Sequence, residues 1–185
     1  MIVSYQGGES FKISQGNLNL VMNPKAKTSA DVTLFSQASS ETSEKSGFVI
    51  TGPGEYEVKD ISIKGFLSEG TGKKINTIYM VGFEGMNLCF LGSLNNATLT
   101  DDILEQLENI DILFLPIDTL DPTSAYKLAV SLEPSLIVPM LYTGESLKKF
   151  LKEAGENSPS TESKLVIKKK DLEGKEGEIM VLTQE

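Results

Sequence analysis

A run of hydroxyl, amide and carboxylate side chains, Ser36-Gln37-Ala38-Ser39-Ser40-Glu41-Thr42, follows directly on the alternating segment Asp31 to Phe35. In an α/β protein, ligands usually sit in loops at the carboxyl ends of strands. This run is therefore the first place to look for chemistry, and what it can do is limited by what the chain lacks. There are no histidines, which removes the commonest general base, the commonest zinc ligand and every histidine-based triad. The single cysteine, Cys89, lies inside the apolar run Leu88-Cys89-Phe90-Leu91. With no histidine to activate it, it reads as a buried structural thiol. Ser39 or Ser93 as a nucleophile would have only lysine or a carboxylate as its base. Oxygen ligands alone suit Mg²⁺ or Ca²⁺, and Glu41, Glu44, Asp118 and Asp121 are the carboxylates that strand-end loops offer. Three of them have a plainer role: Asp121 caps a helix, and Glu41 and Glu44 are solvated loop residues.

Charge narrows the partners. The formal net charge is −9, from 17 basic and 26 acidic residues. Every basic residue is lysine; arginine is absent. An acidic chain without arginine is a poor nucleic-acid binder, because that affinity rests on cationic contacts to phosphate. It also lacks the forked donor that grips phosphate or carboxylate at two points. Lys168-Lys169-Lys170 reads as the solvated part of a surface strand. One cysteine excludes an internal disulfide, which fits a reducing compartment. The opening Met1-Ile2-Val3-Ser4-Tyr5 lacks the regions of a signal peptide, and no apolar run is long enough to span a bilayer. The expectation is a cytoplasmic protein with no membrane contact.

The elements that must position these residues fall into two halves. The first reads as strands: Ile2 to Tyr5, a hairpin of Ser10–Ser14 and Leu18–Met22 around Gly16-Asn17, then Ser29–Phe35 and Gly47–Ile50. Gly52-Pro53-Gly54 is a turn, and no Gly-Lys-Ser/Thr follows it to make a phosphate loop. Tyr56–Val58 and Ile61–Ile63 continue the antiparallel pattern, and 68–74 reads as a flexible loop. A second hairpin pairs Ile75–Gly82 with Met86–Leu91. The rhythm then changes. Ile103, Leu104, Leu107 and Ile110 recur at helical spacing after Thr100-Asp101-Asp102. Ile112–Pro116 and Leu136–Met140 are continuous apolar runs suited to strands covered on both faces. Asp121-Pro122 opens a helix with stripe Ala125, Leu128, Ala129 and Leu132. A third helix carries Leu147, Phe150, Leu151 and Ala154. Residues 156–163 read as loop, and Leu165–Ile167 and Ile179–Leu182 as a closing hairpin. Residues 1–185 form one α/β (α+β) domain, in which a mixed sheet faced by helices is expected.

Several segments, in their order along the chain, resemble the metallo-β-lactamase superfamily. Asp31–Thr42 resembles its strand followed by S-H-x-H-x-D-H, with Ser36 on the serine. Gln37, Ser39 and Thr42 stand at the histidines and Glu41 at the aspartate. Gly7-Gly8-Glu9-Ser10-Phe11 resembles the G-H-x-S-F that opens its small zinc-dependent hydrolases, with Gly8 at the histidine. Val21-Met22-Asn23-Pro24 resembles L-I-D-P. Gly52–Val58 and Asn76-Thr77-Ile78-Tyr79 look like segments of one branch. Leu91-Gly92-Ser93 resembles L-G-D, with Ser93 at the metal-bridging aspartate. Asp111–Pro116 resembles D-V-L-L-L-P, and Ile137–Tyr142 resembles I-V-P-M-H-Y, with Leu141 at the histidine. The resemblance spans roughly residues 1–142.

It implies an αββα sandwich of two mixed β-sheets flanked by helices, with loops converging on a shallow groove lined by Ser36–Thr42, Ser93 and Leu141. The family's cofactors would be zinc, manganese or iron, which generate hydroxide and hold the substrate. At the matched ligand positions this chain carries Gln37, Ser39, Glu41, Thr42, Ser93 and Leu141. Neutral hydroxyls and amides bind transition metals poorly, so no metal, no cofactor and no catalytic residue is expected. The reading is a degenerate, non-catalytic member of the fold acting as a binding or assembly module for a protein or a small polar ligand. It would work as a homo-oligomer or by pairing with an active relative. The alternative is a metal-dependent hydrolase of the superfamily using a non-standard oxygen-ligand site.

Overall fold

A computed structural model of the chain describes residues 1–26, 28–37 and 47–185. Two mixed sheets pack face to face. The six-stranded sheet contains β1 (Ile2–Tyr5), β2 (Phe11–Gln15), β3 (Leu18–Met22), β4 (Val32–Leu34), β5 (Phe48–Ile50) and, later in the chain, β13 (Lys164–Val166). Its spatial order is β13-β1-β2-β3-β4-β5. β2 and β3 form the expected hairpin and β1 pairs antiparallel with β2, whereas β3, β4 and β5 run parallel. The eight-stranded sheet contains β6 (Gly54–Val58), β7 (Ile61–Glu69), β8 (Ile75–Phe83), β9 (Met86–Phe90), β10 (Ile112–Pro116), β11 (Leu136–Met140), β12 (Ser160–Glu162) and β14 (Glu178–Leu182). The run β6 to β9 is antiparallel, and β9, β10, β11, β14 and β12 are parallel.

The core between the sheets follows from alternation along each strand. Phe11 and Ile13 of β2, and Leu20 and Met22 of β3, face Phe90, Phe114 and Val138 of the larger sheet. Phe90 stacks on Phe114 at 4.2 Å, and Phe11 meets Phe114 edge-on at 4.6 Å. The other face of the larger sheet, with Cys89, Leu113, Leu115 and Ile137, lies under the helices. β10 and β11 are buried at every position, as their continuous apolar runs require. Among the described residues the three helices, α1 (Asp101–Leu104), α2 (Pro122–Leu132) and α3 (Gly144–Glu153), pack on that face. The Asp121 carboxylate accepts from Ser124 N at 3.1 Å, and Pro122 takes the first helical position. Ala125, Leu128, Ala129 and Leu132 are all buried. α3 starts at a reciprocal cap between Thr143 and Ser146.

Five expectations need correction. The helix at Asp101 has only four residues. Leu107 and Ile110 are buried as their spacing implies, but tight turns after Leu104 deliver them. The expected loop 68–74 is structured: β7 runs on to Glu69, Gly70 bridges Leu94, and a 3₁₀ turn follows over Thr71–Lys73. Ser160–Glu162, expected as loop, is an edge strand. The expected closing hairpin does not form. β13 pairs with β1 in one sheet and β14 with β11 in the other, so the C-terminal segment clasps both sheets. Lys168–Lys170 is no strand: Lys169 sits in a 3₁₀ turn and pairs at 2.6 Å with the buried carboxylate of Asp111. Among the described residues no helix is long and apolar enough to cross a membrane.

Candidate functional site

The chain ends of β3, β4 and β9 meet where β8 begins, and polar side chains join there into one network. Asn23, just past β3, is held at φ 44°, and its carboxamide engages Ser36 at both ends. Asn23 Nδ2 donates to Ser36 Oγ at 2.9 Å, and Ser36 N donates to Asn23 Oδ1 at 2.9 Å. Ser36 Oγ donates in turn to Glu9 Oε2 at 3.2 Å. The Ser36 carbonyl accepts from Thr77 N at 2.7 Å, which ties the loop after β4 to β8 in the opposite sheet. Tyr79 adds a second tie, its hydroxyl donating to Phe35 O at 3.0 Å and Gly52 O at 3.3 Å.

The next residue, Gln37, donates from Nε2 to Ser93 Oγ. Ser93 follows β9, and its position is set by the fully buried Asn76. Asn76 Oδ1 accepts from Ser93 N at 3.0 Å, while Asn76 Nδ2 donates to Leu91 O at 2.9 Å and Ser68 Oγ at 2.8 Å. The fit leaves no room for a side chain at Gly92, whose φ is 62°. A Cβ there would strike Asn76 Oδ1 and lie 2.6 Å from Ser36 Cβ. A Cβ at Gly70 would come within 2.9 Å of Gln37 Nε2 and 3.2 Å of Ser93 Oγ.

Leu141 occupies a neighbouring corner, at φ 47°, with its N–H donating to Gly8 O at 2.9 Å. The Tyr5 hydroxyl also donates to Gly8 O, at 3.0 Å. Burial, with Tyr142 beside it, pushes the Tyr5 hydroxyl up to about 12. Burial also raises Glu9 above the ordinary carboxylate range, partly offset by the Ser36 hydroxyl.

Of the expected site residues, the structure therefore brings Gln37 and Ser93 into direct contact and sets Leu141 against Gly8. Ser39, Glu41 and Thr42 lie outside the described residues, as does Glu44. Asp121 is engaged as the helix cap, and its carboxyl is held below its usual range chiefly by its bonds to Ser124. Three participants were not singled out by residue type. Glu9 and Asn76 lie inside matched segments, where their polarity amid apolar neighbours was the available signal. Lys25, which lies over Gly7 and Gly8, carried no local signal at all.

Among the described residues, the side chains gathered here do not supply the nitrogen, sulfur and carboxylate donors that the transition metals of the resemblance take. Gln37 Nε2 donates to Ser93 Oγ, Ser93 N donates to Asn76 Oδ1, the Leu141 side chain has no donor atom, and Glu9 accepts from Ser36. Among the described residues no three His, Cys, Asp or Glu side chains cluster to hold an ion. The described side chains alone do not make up the roughly four nitrogen, sulfur or carboxylate ligands of a zinc site.

A family model described as a β-lactamase superfamily domain matches residues 2–141. The whole chain is similar to the crystal structure of a candidate zinc-dependent hydrolase of the metallo-β-lactamase superfamily from Thermotoga maritima. The identity is 26% and the TM-score 0.84, over 100% of this chain and 99% of that one. The structure of a candidate metal-dependent hydrolase from Parabacteroides distasonis superposes with TM-score 0.64 at 18% identity, over 84% of this chain and 90% of that one. Igni18, a metallo hydrolase from Ignicoccus hospitalis, gives 0.65 at 14% identity, over 90% and 99%. The last two carry the fold alone. No curated protein matches the chain.

Proposed function

Because the chain belongs to the metallo-β-lactamase superfamily, we propose that it is a member whose groove works without a metal, as a binding or assembly module rather than a hydrolase. The observation that carries this reading is the contact between Gln37 and Ser93, anchored on Asn76. At two positions where the resemblance places metal ligands, the side chains bond each other instead. Amide and hydroxyl groups so arranged suit recognition of a polar ligand. They do not suit generation of hydroxide, which needs a metal or a strong base. Partners consistent with this role are a small polar molecule, a second copy of the chain or an active relative. Nucleic acid is disfavoured by the charge of −9.

The test is native mass spectrometry of protein purified without chelator or metal-affinity steps, with assays on phosphodiesters, lactones and β-lactams. The expected result is a mass without metal and no turnover. A stoichiometric metal adduct, with turnover abolished by Glu41→Ala, would replace this reading with the oxygen-ligand hydrolase.

A further inference from the structure

Lys25 follows β3 by way of Asn23-Pro24. The two bonds between Asn23 and Ser36 fix the direction in which the chain leaves the sheet, and Pro24 restricts it further. The Lys25 side chain then lies across Gly7 and Gly8. A Cβ at Gly7 would stand 2.5 Å from Gln184 Oε1 and 2.8 Å from Lys25 Nζ, and one at Gly8 would stand 3.6 Å from Lys25 Cε and 3.8 Å from Nζ. Both glycines have positive φ, 85° and 65°, so a side chain at Gly7 would be strained as well as obstructive. Leu141 Cδ2 flanks the same place, 4.0 Å from the Gly8 Cβ position.

The ammonium thus stands beside two positions, Gly8 and Leu141, where the resemblance puts histidines. Among the described residues it has neither an ion pair nor a hydrogen bond. Glu9, the next residue after Gly8, turns to Ser36 instead. Tyr5, which bonds Gly8 O, stays protonated and adds no negative charge.

We infer that Lys25, lying across Gly7 and Gly8 and flanked by Leu141, forms an oxyanion site at the edge of the groove, for the carboxylate or phosphate of a small polar ligand. The inference rests on the metal-free reading of the groove and names the ligand class for it. An ammonium is a compact charge with three donors. It supplies the attraction for an anion that a metal would otherwise supply; Gln184 covers the Gly7 side, and the exposed ammonium is open to approach from the Gly8 side. Leu141 gives the rest of the ligand an apolar wall.

The experiment uses the full chain, with metal content measured first and the sample then stripped with chelator. Inorganic phosphate and acetate are titrated separately into ¹⁵N-labelled wild-type and Lys25→Gln protein, reading amide shifts. The expected result is saturable shifts at Gly7, Gly8 and Leu141 with at least one anion, and affinity about ten-fold weaker in the variant, the loss of one charge-assisted bond. Which anion saturates identifies the ligand group. Equal affinity in the variant, no saturation with either anion, or shifts spread over other surface lysines would overturn the site. Stoichiometric metal before stripping would instead sink the metal-free reading, and the titration of the stripped protein would still judge the anion site.

Discussion

Replacing Asn76 with alanine should do more damage than any other single change in the groove. Its carboxamide is fully buried and satisfies two backbone groups, the Leu91 carbonyl at 2.9 Å and the Ser93 N–H at 3.0 Å, besides Ser68 Oγ at 2.8 Å. Alanine would strand both backbone groups, and each unsatisfied buried group costs about 1–3 kcal/mol. Asn76→Ala should therefore lose about 4 kcal/mol, a large share of the ~5–15 kcal/mol that holds a typical domain together. The melting temperature should fall by roughly 10 °C. Ser93→Ala keeps the N–H to Asn76 and loses only hydroxyl contacts, so it should cost about 1 kcal/mol. The assay is urea unfolding followed by circular dichroism, with and without excess EDTA. A loss below about 1 kcal/mol for Asn76→Ala, or wild-type stability that falls in EDTA, would refute the claim that this network rather than a metal joins the loops.

Glu9 should make the protein more stable as the pH falls. Burial raises its folded pKa above the ordinary 4.5, so between those two values the folded state holds more protons than the unfolded state. Stability then drops as pH rises through that window. Glu9→Gln should flatten this dependence and raise stability at neutral pH, as unfolding curves across pH will report. Asp121→Ala removes the α2 cap and should cost about 1 kcal/mol, measured as a shift in the urea midpoint. Asp121 contributes the opposite pH sign. Its depressed pKa gives stability that is present above the unfolded carboxylate value and lost as pH falls through the folded one. Cys89 is fully buried, with its thiol pushed up to about 12 by that burial. It should not react with a thiol reagent in native protein and should titrate as one equivalent in denaturant, followed by absorbance.

Most of what the sequence determined was local. The continuous apolar runs at Ile112–Pro116 and Leu136–Met140 dictated strands covered on both faces, because no polar face was left to meet water. Asp121-Pro122 and the stripe from Ala125 to Leu132 dictated α2, because cap chemistry and 3.6-residue spacing act within a few residues. The absence of histidine was also decided before folding, and it left the matched ligand positions to other residue types. Tertiary structure decided what depends on contacts between distant residues. Lys164–Val166 and Glu178–Leu182 read equally well as a hairpin; the two sheet edges offered by β1 and β11 separated them. Lys169 stays exposed as its sequence suggests, but only folding brought its ammonium to Asp111, 58 positions away. The groove followed the same rule. Gln37 and Ser93 are 56 positions apart, and what joins them is the packing of one sheet's strand ends against the other's. Lys25 over Gly7 and Gly8 is likewise a product of that packing, since a lysine after a turn carries no mark of what it will face.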